Sequence, residues 1–145
     1  MTQMYIIKGN FIHFLIIIGV LLVASCSNGT DLSELVKRKG IVYKKKTNEP
    51  FIGISVSYYE KSKKNKKAET EYKKGLIDGI VTVWYQSGEL KCRKKYLKGL
   101  LHGETMMWYT NGHKKSVETF SKGKQYGRQI YWKKDGTLIK DRIIH

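Results

Sequence analysis

The chain opens on one continuous apolar run and never repeats it. Phe11 to Ala24 spans 14 residues, interrupted only by His13 and Gly19, and Lys8 with the amino terminus supplies a basic flank. A bilayer-spanning helix needs about 20 apolar residues, so this run has the length and flanks of a signal-peptide core. Beyond it the pattern changes. Short stretches rich in Val, Thr, Ile, Tyr and Trp alternate with charged positions and are punctuated by glycine. That is the signature of half-buried strands joined by tight turns. The expected fold is all-β: a single-layer antiparallel meander of stacked hairpins behind a signal peptide.

The meander is periodic. Tyr72, Tyr96 and Phe120 open three blocks 24 residues apart, and four further columns keep the same spacing. These are Gly75/Gly99/Gly123, Gly79/Gly103/Gly127, Trp84/Trp108/Trp132 and Gly88/Gly112/Gly136. A repeat at this period means supersecondary units that bury their faces against one another. A degenerate copy lies upstream, where Gly53, Tyr58 and Tyr59 precede Gly79, Trp84 and Tyr85 by 26 residues. Its two extra residues fall in the lysine-rich stretch Lys61 to Lys67, read as an enlarged turn. The units therefore run over about 41–71, 72–95, 96–119 and 120–145.

Each unit reads as two antiparallel strands. Ser87-Gly88, Asn111-Gly112 and Asp135-Gly136 are expected as two-residue turns, with glycine supplying a positive φ. The Gly-x-x-x-Gly segments are expected to link one hairpin to the next. Lys74, Asp78 and Lys98 exclude the membrane-helix reading of that motif, which requires an apolar 20-mer. Equivalent strands then lie about 9.5 Å apart, so Trp84, Trp108 and Trp132 form a row. A two-residue turn sets Trp84 opposite Lys91, Trp108 opposite Lys115 and Trp132 opposite Ile139. With Tyr85 and Tyr109 alongside, the row has two uses. It builds the core of a single-layer sheet, or it forms an aromatic, lysine-rimmed groove for an extended peptide, a glycan or a lipid headgroup.

The carrying motif, Tyr-x-x-Gly-x-x-x-Gly followed by Trp-Tyr-x-x-Gly, resembles the MORN-repeat family, in particular the bacterial variant labelled YwqK-family antitoxins. The resemblance covers roughly Ile41 to Ile139, and Tyr43, Pro50-Phe51 and Gly53 stand in the order in which that family opens. Two positions depart from the pattern: Lys133 replaces the second aromatic of the last copy, and the loop after Tyr59 lacks a turn glycine. The resemblance implies an elongated sheet of hairpins and an interaction module rather than a reaction.

Val23-Ala24-Ser25-Cys26 resembles a bacterial lipobox, in which a thiol is acylated before the peptide is cut ahead of it. The expected organisation is a signal peptide at 1–25, a lipidated Cys26 with a tether at 26–40, and a repeat domain at 41–145. Cleavage leaves 145 − 25 = 120 residues and, with the loss of Lys8, lowers the formal net charge from +16 to +15. Cys92 is then the only free thiol, so no intramolecular disulfide forms, and a buried core position is expected for it. Before the repeats, Asp31 and Glu34 have capping-box spacing, consistent with either a helical turn or a flexible tether.

Charge and chemistry narrow the function. The basic residues are 24 Lys and 4 Arg, whereas site-specific nucleic-acid readers favour the bidentate fork of Arg. Export removes nucleic acid as the usual ligand. His102, His113 and His145 lack partners at metal-ligand spacing, and Asp78 is replaced by His102 and Tyr126 in the next two units. Neither a Gly-x-Ser-x-Gly elbow nor a phosphate-binding loop occurs. No catalytic residue, metal or cofactor is expected. The sequence points to an extracytoplasmic, membrane-anchored envelope lipoprotein that binds a protein, an anionic envelope polymer or headgroups. An antitoxin or immunity protein that neutralises a toxin by direct binding is the alternative.

Overall fold

The computed structural model describes residues 29–61 and 63–145. The segment 1–25 expected to be a signal peptide, the expected cleavage site and Cys26 lie outside them. The described chain is all-β. A short β1 (Thr30–Asp31) leads through a 3₁₀ turn (Leu32–Glu34) into the hairpin β2 (Leu35–Arg38) and β3 (Ile41–Lys44). Then follow β4 (Gly53–Tyr58), β5 (Lys66–Lys73), β6 (Leu76–Trp84) and β7 (Leu90–Leu97). The chain ends in β8 (Leu100–Trp108), β9 (Lys114–Ser121), β10 (Lys124–Trp132) and β11 (Leu138–Ile144). Strands β4 to β11 pair in sequence order as an antiparallel meander, and β1 adds to β4 in parallel. Residues 30–40 are thus built into the structure. The helical turn open to expectation there is the 3₁₀ turn, capped by Asp31 Oδ1, which accepts from Ser33 N–H at 2.9 Å.

Two kinds of connection alternate, and they exchange the roles expected from the sequence. The two-residue turns are the Lys-Gly pairs. Lys74-Gly75, Lys98-Gly99 and Lys122-Gly123 have positive φ at both positions, as does Lys39-Gly40 in the first hairpin. Positive φ at both central residues is the type I′ geometry, whose twist matches that of the flanking strands. The Ser-Gly, Asn-Gly and Asp-Gly pairs instead end three-residue loops. Tyr85 N–H donates to Glu89 O (2.8 Å) and Gly88 N–H to Tyr85 O (3.0 Å), and the same two bonds recur at 109–113 and 133–137. In the first copy the equivalent closing bond runs from Tyr59 N–H to Asn65 O, so that loop is two residues longer and Lys63 takes a positive φ. The enlarged turn is therefore present where the lysine run placed it.

The loop length changes the register. Trp84 pairs with Leu90, Trp108 with Lys114 and Trp132 with Leu138, not with Lys91, Lys115 and Ile139. The next pairs are Val83–Cys92, Met107–Ser116 and Tyr131–Lys140, which leaves Lys91, Lys115 and Ile139 as the extra residues of β-bulges. A second, wider bulge replaces the expected Gly-x-x-x-Gly link. Thr70 pairs with Val81 but Tyr72 with Ile77, so Asp78-Gly79-Ile80 oppose Glu71 alone; His102-Gly103-Glu104 and Tyr126-Gly127-Arg128 do the same. Across the other edge, Tyr96 stands opposite Gly79 and Phe120 opposite Gly103.

Burial is unevenly spread. Leu35, Val42 and Phe51 form a small apolar core against Tyr72 at the amino-terminal end. Along the sheet, Val83, Cys92, Met107, Ser116 and Tyr131 share one face with Val81, Lys94, Thr105, Glu118 and Gln129. The buried members of that face are Cys92, Thr105, Ser116 and Gln129, with Ser55 in the same row. Side chains of this mostly small and polar set are buried without a second layer where strands curl toward them, so this is the inner side of a twisted sheet.

The turn glycines differ in what surrounds them. A Cβ on Gly75 (φ +77°) would collide with Ile41 Cγ2 and come 2.6 Å from the Val42 carbonyl oxygen, whereas one on Gly112 (φ +82°) would meet nothing. Both Ala substitutions carry the left-handed penalty of about 1 kcal/mol. Gly75→Ala should cost about 1–3 kcal/mol more, from overpacking. Urea unfolding of the two variants checks this; equal losses would mean that the stacking of Ile41 on the turn is unimportant.

Candidate functional site

Two rails of hydrogen bonds hold successive hairpins together. On the loop side, Tyr59 Oη donates to Trp84 O (2.8 Å), Tyr85 Oη to Trp108 O (2.8 Å) and Tyr109 Oη to Trp132 O (2.9 Å). On the turn side, Gly75 N–H donates to Phe51 O, Gly99 N–H to Ile77 O and Gly123 N–H to Leu101 O, at 2.7 to 2.8 Å. Each rail uses the residue that recurs at the 24-residue spacing. The loop, three residues long after Tyr85 and Tyr109 and five after Tyr59, leaves the tyrosine just outside the strand, from where its side chain spans to the next hairpin.

The lysines expected to rim the tryptophans belong to the tyrosines instead. Lys67 Nζ lies 5.7 Å from the Tyr59 ring, Lys91 Nζ 5.4 Å from Tyr85, and Lys115 Nζ 5.6 Å from Tyr109. These three lysines are the bulge residues, so the bulge turns each ammonium over a ring. The last copy departs at both positions at once. Lys133 replaces the tyrosine and Ile139 the lysine, at the end of the sheet where the next carbonyl is absent.

Trp84, Trp108 and Trp132 are half-buried and stand in a row beyond Thr82, Met106 and Ile130 on the face opposite the small buried residues. Only the tryptophan carbonyls join the rail. At its β4 end this face is covered, Val56 being buried there, while the tryptophan stretch from β6 to β10 is only partly buried. Between Ile80 and Met106 it carries a shallow depression of about 380 Å³, edged by Arg93, Lys95 and Glu104 beside Gly103. Sequence reasoning missed this depression because the wide bulge that opens it has no signature beyond a single glycine.

The inner face carries polar contacts in the last hairpins. Ser116 Oγ and Gln125 Nε2 both donate to the Glu118 carboxylate, at 3.1 and 2.9 Å. Burial and, next, the Glu118 charge raise the Tyr131 phenol above its ordinary range. Gln129, fully buried, donates through Nε2 to the Thr119 and Tyr126 carbonyls. Cys92 is buried, as expected of a lone core cysteine, and burial raises its thiol while Lys94 and Lys91 oppose the shift. His113 Nδ1 lies 3.0 Å from Lys134 O, and His102 lines a shallow apolar hollow with Leu97 and Leu100. Among the described residues no three His, Cys, Asp or Glu side chains converge as a metal site would require.

The rail makes separable predictions. Tyr109→Phe should cost about 1 kcal/mol, the net worth of one hydrogen bond. Lys115→Met should cost about 0.5–1 kcal/mol, through the ring contact alone. Lys133→Tyr should leave the melting temperature unchanged, because no further strand offers its hydroxyl a carbonyl. A gain there would refute the rail as the tyrosine's role. A second test concerns pH. With the folded-state Cys92 thiol raised, the unfolded chain loses that proton first, so stability is full below about pH 9 and falls as pH rises past it. Melting temperatures of Cys92→Ala between pH 8 and 10 should show a flatter decline than wild type.

No family model, curated protein or solved structure matches this chain.

Proposed function

We propose that this chain is a non-catalytic envelope lipoprotein whose sheet of MORN-type hairpins, about four in number, is a binding module. The carrying observation is the open aromatic face. The hydrogen-bonding groups that recur with the repeat are committed to the two rails, while the side chains of Trp84, Trp108 and Trp132 stay half-buried and partly open to solvent beside Met106, Val117 and Ile130. A large, partly exposed aromatic row is the usual currency of a protein interface, where a few Trp and Tyr side chains carry most of the affinity. The hairpin unit, its glycine turn and its Trp-Tyr pair support the MORN-type resemblance. Neutralising a toxin by direct binding would use the same face.

Export and anchoring are proposed from Val23-Ala24-Ser25-Cys26. Several acyl chains on one cysteine hold a membrane stably where a single chain does not. The mature chain, at +15, then faces anionic headgroups and envelope polymers as well as proteins.

Two measurements test the proposal. Cys26→Ser should abolish incorporation of a tagged fatty acid and leave the precursor uncut; retained label sinks the anchor. For the face, pull-downs from detergent-solubilised envelope should recover a specific partner with wild type. Trp108→Ala should weaken its capture by about 30-fold, the loss of one aromatic hot spot. The melting temperature of the variant must stay close to wild type, and a collapse there would assign Trp108 to the core of the sheet instead.

A further inference from the structure

The tertiary structure gathers lysines that the sequence keeps apart. Lys44 ends β3 and Lys45 and Lys46 follow it, and Lys61, Lys63 and Lys64 lie in the enlarged loop after β4. Both groups meet the segment through which the chain continues toward Cys26. On one side Lys45 Nζ donates to Ser33 O at 2.5 Å, its backbone N–H donates to Glu34 O, and Lys44 and Lys46 line a cleft with Thr30 and Glu34. On the other side Lys63 Nζ pairs with Asp31 at 2.7 Å, and Lys61 and Lys63 line a second cleft with Asp31, Tyr58 and Tyr59. All six lysines are exposed. The acids within this collar are Asp31, Glu34 and Glu60, so 6 − 3 leaves it at +3.

We infer that this lysine collar is a membrane-docking surface for the anionic headgroups of the bilayer that holds the acylated Cys26, and that it stands the sheet up from that bilayer by its amino-terminal end. The inference rests on the anchor reading. Chain length sets the geometry. Asp31 lies five residues after Cys26, a reach of at most about 18 Å when fully extended. The tether thus holds the collar within about two screening lengths of the surface, the screening length being about 8 Å at physiological salt, and leaves it free to reach contact. Each lysine held there is drawn to an anionic leaflet. The opposite end is different. Strand β11 is seven strand spacings from β4, about 33 Å along the sheet and four screening lengths away. Docking at the collar leaves the tryptophan face free of the lipid and open to a partner.

The test uses the acylated protein reconstituted in nanodiscs of pure phosphatidylcholine or of phosphatidylcholine with phosphatidylglycerol. Lysine amines are labelled with an acylating reagent and read residue by residue by mass spectrometry. A negative surface keeps ammonium groups protonated, so Lys44, Lys45, Lys46, Lys61, Lys63 and Lys64 should react about fivefold more slowly on the anionic discs. Lys133, Lys134 and Lys140 should change less than about twofold. Equal reactivity on both discs, or slowing of the distal lysines to the same extent, overturns the docking surface while the anchor stands. The same protection on neutral discs with soluble poly(glycerol phosphate) assigns the collar to a polymer and overturns the bilayer as its ligand. Intact mass separates the two readings: protein recovered without acyl chains overturns the anchor, and the docking surface with it.

Discussion

A sheet one layer thick has no second layer to press against, so its strands must be bound to one another by something other than a shared apolar interior. Here Tyr59, Tyr85 and Tyr109 stand just past a strand end at the start of a loop, and each hydroxyl reaches the tryptophan carbonyl of the next hairpin at 2.8 to 2.9 Å. The opposite edge repeats the device with turn-glycine N–H groups. Backbone groups at strand ends lack ladder partners and would otherwise rely on water. Satisfying them between units couples each hairpin to its neighbour, which is how a one-dimensional array acquires cooperativity.

The ends of such an array need separate solutions. At the amino-terminal end the β2–β3 hairpin closes the sheet with a small apolar cluster, Leu35, Val42 and Phe51, the Phe51 and Tyr72 rings lying 5.5 Å apart. At the carboxy-terminal end β11 has a free edge and exposes Leu138, Ile139 and Ile143. Lys140, Asp141 and Arg142 occupy its middle, and Asp141 is held by Arg128 at 2.7 and 3.0 Å. Charges in an edge strand oppose further pairing. The hairpin cap and the charged edge bound the described array.

The bulges carry the side chains that give the surface its character. One extra residue on β5, β7 and β9 turns a lysine over a tyrosine ring, and three residues against one on β6, β8 and β10 open the depression beside Gly103. Neither feature follows from strand alternation. Both leave the tryptophan row on the far face from the small buried residues, and the first turns Lys91 and Lys115 toward the tyrosines while Lys114 pairs with Trp108.

By itself the sequence determined the strand content, the 24-residue period, the positive φ of the recurring glycines and the enlarged loop after Tyr59, because these depend on local stereochemistry and on spacing along the chain. It also marked Lys133 as a departure, without showing that Ile139 departs with it. Which glycine pair makes the tight turn was decided only in the folded sheet. Lys-Gly and Asn-Gly both accept the type I′ conformation, and the choice falls to the pairing that lets strands of eight and nine residues close on each other. The register followed the same rule, and one residue of loop length moved Lys91 and Lys115 away from the tryptophans. The lysine collar is tertiary in the fullest sense. Its two clusters are brought together by β1 adding to β4 and by the 3₁₀ turn meeting Lys45, contacts between segments far apart in sequence that no local pattern encodes.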